Sequence, residues 1–299
     1  MRTAFVTGVQ GFTGRYLVPT LRDRGYAVHG LIRPDEAQGA HDLARCYSGD
    51  VKDLRQLRAV ISEARADVVV HLAGIASVRH DDPSEIYEAN LVGTRNLLQA
   101  LVDSGAQPSA VLLASSANVY GNQRGGALAE DARPQPVNEY GISKIAMEWV
   151  AKLFMDRLPI IIARPFNYTG RGQSTDFLIP KIVSHVRRAA QEIELGNLDV
   201  ERDFSDVRAV VDAYARLLET KLAIGGTFNI CSGRAVSLRK VIDLVRSISG
   251  RDLRVRVNPA LIRSNEVMRL WGSSAKLEQA IGPISMPLLE ETLRWMIED

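Results

Sequence analysis

The chain has 299 residues, 46% of them hydrophobic and 24% charged, which supplies a large buried core for one or two domains. Its formal net charge is +2 with no basic block, so a nucleic-acid partner is not expected, while a small anionic ligand is compatible. Two isolated cysteines, Cys46 and Cys231, cannot form a disulfide framework and fit a reducing cytoplasm. The five histidines have no metal-ligand spacing, so no metal is expected, and no apolar run resembles a membrane span or signal peptide.

Strand and helix patterns alternate from the first residues. Ala4-Phe5-Val6 predicts a short strand, then comes a glycine loop and a helix through Tyr16, Leu17, Val18 and Leu21. A strand over 27–32 precedes a helix over 53–64, whose Leu54, Leu57, Val60 and Ile61 share a face, and a Val-rich strand over 67–72. One long helix is predicted over 83–103, with Pro83 in its first turn. Strands over 111–114 and 160–163 flank a helix bearing Tyr140 and Lys144. Near-continuous apolar strands alternating with helices predict an α/β fold, a doubly wound parallel sheet of the Rossmann type.

From about Arg164 the rhythm loosens. The patterns give a helix over 177–191, a strand over 192–195, a helix over 206–220 and a strand over 227–230. A helix over 238–249, a strand over 253–257 and two helical pieces close the chain. The expected division is a Rossmann domain over 1–165, with interleaved segments near 205–232, and a smaller mixed α/β substrate domain over 166–299.

Three motifs carry the chemistry. Thr7-Gly8-x-x-Gly11-x-x-Gly14 lies between a strand and a helix, where Gly8 permits a tight turn, Gly11 admits a pyrophosphate and Gly14 allows close packing. The diphosphate would rest on the free N–H groups of the helix N-terminus. Tyr140 and Lys144 lie four apart, one above the other on a helix face, where an ammonium can lower the phenol pKa for proton transfer. Ser116 lies upstream, and neighbouring Ser115 is read as packing at the strand end.

Cofactor choice turns on the end of the second strand. The run Leu31-Ile32-Arg33 has no acid before Asp35, and an Arg there suits the 2′-phosphate of NADPH, with NADH also compatible. Arg33 is either that ligand or a solvated loop charge. Asp50, in Gly49-Asp50-Val51, is either near the adenine amino group or a helix cap. Leu72-Ala73-Gly74 ends a strand with small residues that leave room for the cofactor.

Together these motifs resemble the extended short-chain dehydrogenase/reductase family over essentially the whole chain. The runs Ala163-Arg164-Pro165-Phe166-Asn167, 196–204 and Arg263-Ser264-Asn265-Glu266-Val267 resemble its GDP-mannose-modifying branch. The resemblance implies Ser116, Tyr140 and Lys144 as the catalytic set. It implies cofactor contacts from Gly8, Gln10, Gly11, Phe12, Thr13, Gly14, Arg33, Asp50, Val51, Leu72, Ala73, Gly74, Tyr140, Lys144 and Pro165. For substrate it implies Ser116, Asn118, Asn167, Ile179, Arg202, Arg263 and Glu266, with Arg forks on phosphates and Glu266 on ribose hydroxyls. Phe177, Leu178, Ile179 and Lys181 either frame the base or, in their apolar members, belong to the core.

One departure bears on the reaction. The branch's dehydratases resemble this chain but carry a carboxylate at the positions held here by Ala117 and Asn118, and an amide is a negligible base. The implied activity is therefore NADPH-dependent reduction of the C4 ketone of a GDP-4-keto-6-deoxy sugar by a cytoplasmic homodimer, in making polysaccharide precursors. That sugar is GDP-4-keto-6-deoxy-D-mannose, giving GDP-D-rhamnose, or a relative such as a 6-deoxy-heptose. The alternatives are a nucleotide-sugar 4-epimerase, a GDP-mannose 4,6-dehydratase, and a non-catalytic NADPH-binding regulator on the same fold.

Overall fold

The computed structural model of the chain describes residues 1–34, 42–76, 82–123, 125–262 and 265–298. The first half begins with β1 (Arg2–Thr7), the glycine loop and α1 (Phe12–Asp23), then β2 (Tyr26–Ile32), β3 (Arg45–Ser48), α2 (Leu54–Ala64) and β4 (Val68–His71). It continues with α3 (Pro83–Tyr87), a π-helical turn (Glu88–Val92), α4 (Gly93–Asp103), β5 (Ala110–Ala114), α5 (Glu139–Lys152) and β6 (Ile160–Pro165). Then follow β7 (Asn167–Thr169), α6 (Leu178–Arg187), β8 (Glu192–Leu195), β9 (Glu201–Arg202), β10 (Phe204–Asp206), α7 (Val207–Leu218) and β11 (Thr227–Ile230). The chain closes through β12 (Val236–Ser237), α8 (Leu238–Ser249), β13 (Arg254–Val257), β14 (Arg269–Leu270), α9 (Ala275–Ile281) and α10 (Leu289–Ile297).

Among the described residues, seven strands form one parallel sheet in the order β11-β6-β5-β4-β1-β2-β3. Successive strand side chains point to opposite faces, and the core divides accordingly. Ala4, Val6, Val68, Val70, Leu112 and Ile161 pack with α1 and α7 on one face. Phe5, Val69, Val111, Leu113, Ile160 and Ile162 pack with α2, α4 and α5 on the other. Burial on both faces is why these strands read as continuous apolar runs. Strand order reverses between β1 and β4, and the glycine loop leaves the carboxyl end of β1 at that switch point, where such sheets bind ligands.

Four differences from the sequence expectation have physical causes. β3 pairs with β2 as the edge strand, yet only Tyr47 of its four residues is buried, so it leaves no apolar run. The helix expected over 53–64 starts at Leu54, because the Asp53 carboxylate accepts from the Gln56 amide as N-cap. The long helix over 83–103 contains the π-helical turn, centred on the fully buried Asn90. The helix expected to reach residue 191 ends at Arg187, followed by Ala189 at φ 56°, a left-handed conformation that breaks the helix.

β11 returns to the large sheet beside β6, and α7 packs against α1, so the residues after 206 re-enter the first core. A separate core joins α6, α8 and α10 with β8 and β13. Among the described residues no helix is long and apolar enough to cross a membrane.

Candidate active site

The glycine loop is shaped by contacts that exclude side chains. Gly8 has φ +72°, and a Cβ there would sit 2.8 Å from the Ala73 amide nitrogen. A Cβ on Gly14 would lie 2.3 Å from the Gly8 carbonyl oxygen, so helix α1 is pressed directly onto the turn. Gly11 is the N-cap of α1 with no capping side chain, and the first turn carries no acid. That leaves backbone donors and a positive dipole end for an anion, so these residues fit a dinucleotide diphosphate. Gln10 accepts from Arg15 Nε through its carbonyl. Phe12 stacks on Tyr168 at 6.0 Å, and the Thr13 and Tyr168 hydroxyls are 2.7 Å apart.

Behind the loop, a directed hydrogen-bond chain fixes the strand ends. The Thr94 hydroxyl donates to the Asn90 carbonyl at 2.6 Å, so it accepts from His71 Nε2 at 2.9 Å. His71 Nδ1 then accepts from the Thr7 hydroxyl at 2.7 Å, and Thr7 Oγ1 accepts from the Ala73 amide at 3.1 Å. The imidazole is neutral: burial, reinforced by the Lys144 charge, pushes its pKa down to about 3. Leu72 and Ala73 follow β4 at the sheet's carboxyl edge as expected. At Gly74 the space is taken differently, since a Cβ there would lie 2.5 Å from Asn90 Oδ1 and 3.5 Å from Lys144 Nζ. Gly74 makes room for Asn90.

Arg33 is exposed directly after β2, and Asp35 lies outside the described residues. Asp50 is not the cap of α2, a role taken by Asp53; its carboxylate instead holds the Lys52 amide at 2.8 Å. Val51 is buried in the core beneath α4, and Pro165 ends β6.

Tyr140 and Lys144 share the buried face of α5, whose N-terminus is capped by Asn138 accepting from the Gly141 amide at 2.8 Å. Lys144 Nζ lies 5.9 Å from the Tyr140 ring centroid and donates to the Ala114 carbonyl at 2.9 Å. The expected lowering of the phenol pKa is not seen. Burial pushes Tyr140 up to about 12, against an opposing hydrogen bond with Ser116, because desolvation penalises a buried phenolate. Lys144 is pushed by burial down to about 8, with the Glu148 carboxylate opposing that shift.

Ser116 caps a short 3-10 turn (Ala117–Tyr120). Its Oγ accepts from both the Asn118 amide and the Asn118 Nδ2, each at 3.1 Å. With both lone pairs engaged, its own proton is left to donate. Beneath Tyr140, Asn90 Nδ2 donates to Ser143 Oγ at 3.0 Å, and that hydroxyl donates to the Tyr140 carbonyl at 2.8 Å. Asn90 also pairs with both backbone groups of Ile75, at 2.9 and 3.1 Å. Sequence reasoning passed over Asn90 and His71; a polar residue on the apolar face of a predicted helix or strand is the signal that marks them.

Of the residues expected at the sugar nucleotide, Asn167 is exposed on β7 and Arg202 is half-buried on β9, donating to the Glu201 carbonyl at 2.8 Å. Next to Arg202, buried Asp203 accepts from the Ser232 amide and hydroxyl and the Gly233 amide at 2.7–2.9 Å, which pins this strand to the loop after β11. Glu266 is tied to the serine turn, its carbonyl accepting from Asn122 Nδ2 at 3.3 Å. Its buried Oε2 has no hydrogen-bond partner, an acceptor suited to ligand hydroxyls. Arg263 lies outside the described residues. Ile179 is 2% exposed and packs in the core of α6, α8 and α10, the core reading open to its group, while Phe177 is the exposed member. Among the described residues no group of three or more His, Cys, Asp or Glu is arranged to hold a metal.

The sequence profile of GDP-mannose 4,6-dehydratase matches residues 5–296 of this chain. The chain belongs to that family. Within it, a GDP-6-deoxy-D-talose 4-dehydrogenase of Aggregatibacter actinomycetemcomitans is 34% identical, over 93% of this chain and 90% of its own length. A GDP-6-deoxy-D-mannose reductase of Pseudomonas aeruginosa is also 34% identical, over 99% and 96%. The structure of RMD from Pseudomonas aeruginosa complexed with NADPH superposes with a TM-score of 0.86 at 31% identity, covering 100% of this chain and 98% of that one. The family's extended short-chain dehydrogenase/reductase architecture accounts for the Rossmann sheet and the Ser116, Tyr140 and Lys144 constellation together.

Proposed function

We propose that this protein is an NADPH-dependent reductase acting on the C4 ketone of GDP-4-keto-6-deoxy-D-mannose, yielding GDP-D-rhamnose for polysaccharide synthesis in the cytoplasm. The observation that carries this reading is the neighbourhood of Ser116. Asn118 spends its side chain on the serine hydroxyl, and Ala117 beside it is buried and apolar. That turn therefore has an oriented hydroxyl donor for a ketone and no base for the C5 proton that dehydration removes. The relatives named for C4 oxidoreduction of GDP-6-deoxy sugars support it.

When bound, NADPH would supply the hydride; Gly8, Gln10, Gly11, Phe12, Thr13 and Gly14 would hold its diphosphate, with Arg33 toward the 2′-phosphate. Ser116 donates a hydrogen bond to the ketone oxygen and stabilises the developing alkoxide. Tyr140 transfers its phenolic proton to that oxygen, and its raised pKa keeps it protonated and ready to donate at neutral pH. Lys144 remains largely protonated at pH 7 and stabilises the resulting phenolate. Asn167, Arg202, Arg263 and Glu266 hold the GDP moiety, so residues 166–299 serve mainly the sugar nucleotide and 1–165 the cofactor. Ile142 and Trp149 on α5 and Leu153 at its C-cap form one exposed apolar face, with Trp149 61% and Leu153 71% exposed, and we assign this face to a homodimer contact.

The relatives' names distinguish two products, since 6-deoxy-talose and 6-deoxy-mannose differ in configuration at C4. The test is to supply GDP-mannose, a separate dehydratase and NADPH, and identify the product by NMR. GDP-D-rhamnose is expected. A talo product would overturn the stereochemical assignment alone. Absence of NADPH consumption would overturn the reductase reading, and turnover on tightly bound NAD without added cofactor would favour a 4-epimerase.

A further inference from the structure

Ser115 does more than pack at the end of β5. Its hydroxyl donates to Glu148 Oε1 at 2.5 Å, and Glu148 is only 1% exposed. The same carboxylate takes a bidentate fork from Arg164 on β6, Nε to Oε1 at 2.9 Å and Nη2 to Oε2 at 2.6 Å. Arg164 Nη1 reaches the Tyr120 phenol oxygen at 2.9 Å, at the far end of the serine turn, and Tyr120 donates to Asn229 Oδ1 on β11 at 2.6 Å. Glu148 is therefore the node joining both ends of the segment that carries Ser116 to the helix that carries Tyr140 and Lys144.

A buried ion pair is poor evidence of a stabilising role, because desolvation rivals its Coulomb energy and apolar residues of similar volume hold a helix to a sheet as well. An apolar pair cannot supply direction. The fork fixes the carboxylate plane, and the carboxylate in turn fixes Ser115, one peptide from Ser116. Tyr140, Lys144 and Glu148 recur every four residues along one face of α5, so Glu148 also faces the Lys144 ammonium. Among the described residues, the other titratable groups that act on or contact Lys144 are Tyr140 on the same helix and the neutral His71 on β4, while Arg164 on β6 is held in the Glu148 fork.

We propose that Glu148, oriented by Arg164, is a positioning residue for the reductase centre: it sets Ser116 against Tyr140 through Ser115 and supplies the anion that keeps Lys144 protonated. This rests on the catalytic reading of Ser116, Tyr140 and Lys144 given above. The Lys144 shifts agree, since burial lowers its pKa and Glu148 raises it.

Ser115→Ala is the primary test, because it leaves the ion pair intact and the fold supported. Its kcat for keto-sugar reduction is expected to fall about tenfold, as expected for a small displacement of a reacting group, with NADPH Kd and Tm nearly unchanged. A kcat within twofold of the parent overturns the positioning role, including where Tm falls and the role is merely structural. Glu148→Gln is expected to move the alkaline limb of kcat/KM to lower pH, by roughly one unit, and Glu148→Asp to restore it. Where Glu148→Gln does not fold, Ser115→Ala decides the outcome: a kcat within twofold of the parent overturns the inference. Tyr140→Phe is the control: its retention of activity would mean the catalytic reading itself has failed, whereas an inactive Tyr140→Phe beside a normal Ser115→Ala overturns only the inference about Glu148.

Discussion

Asn118 grips Ser116 twice, its backbone amide and its side-chain Nδ2 each donating to the serine Oγ at 3.1 Å. On the proposed reductase reading, this one residue bears on both reactions: its amide orients the hydroxyl for a ketone and stands where elimination would need a base.

The pure protein is accordingly expected not to dehydrate GDP-mannose. Incubation with GDP-mannose and NADP should give no 4-keto-6-deoxy product, read by the absorbance of the keto sugar in alkali. The same preparation should reduce a supplied 4-keto-6-deoxy intermediate. Robust formation of the keto sugar from GDP-mannose would restore the dehydratase reading.

Tyr140→Phe should lower kcat by roughly a hundred- to ten-thousand-fold, the usual contribution of general acid catalysis. NADPH affinity should change little, because only one hydroxyl is lost. Single-turnover reduction followed at the nicotinamide absorbance, with a parallel binding titration, separates the two effects. A near-normal kcat would remove Tyr140 from the mechanism.

Arg33→Ala should raise KM for NADPH more than KM for NADH, since only NADPH carries the 2′-phosphate. Steady-state kinetics with both cofactors give the ratio directly. Equal changes would leave Arg33 as an ordinary surface charge after β2.

Acid should loosen the fold through His71. An exposed histidine in the unfolded chain titrates near 6.5, while burial holds His71 at about 3 in the native state. Between those values the unfolded chain binds the additional proton, so stability present above pH 6.5 is lost as pH falls toward 3. The loss between pH 6.5 and 5 should be on the order of 2 kcal/mol, measured by urea unfolding. His71→Gln should flatten that slope; an identical slope in the variant would assign the acid sensitivity to other groups.

The large sheet was legible in the sequence because its strands are buried on both faces, as in Val68, Val69 and Val70, and so needed no alternation to be found. The edge strand β3 and the two-residue strands β9, β12 and β14 were not legible, since neither length nor burial leaves a pattern there. Ser116, Tyr140, Lys144 and the glycine loop were named from motif spacing, and the structure brings them to one edge of the sheet. Their supports were hidden by sequence distance: Thr7 meets His71 64 positions later, and Ser115 meets Glu148 across 33. The Tyr140 pKa was misjudged for a related reason. Spacing reports that a cation is near a phenol, whereas burial, which decides the direction here, is a property of the whole fold.

The wide turn at Glu88–Val92 also constrains how this segment can change in length. An α-helix advances about 100° per residue, and a π turn accommodates one residue beyond that register. Asn90, at the centre of that turn, bonds both Ile75 and Ser143. Deleting a single residue between 88 and 92 would let the run close into an unbroken, more regular α-helix. It would also remove the wide turn that holds Asn90 against Ile75 and Ser143. Here the locally better helix would be the worse protein, so this stretch should accept substitutions on its solvent side far more readily than any change in residue count.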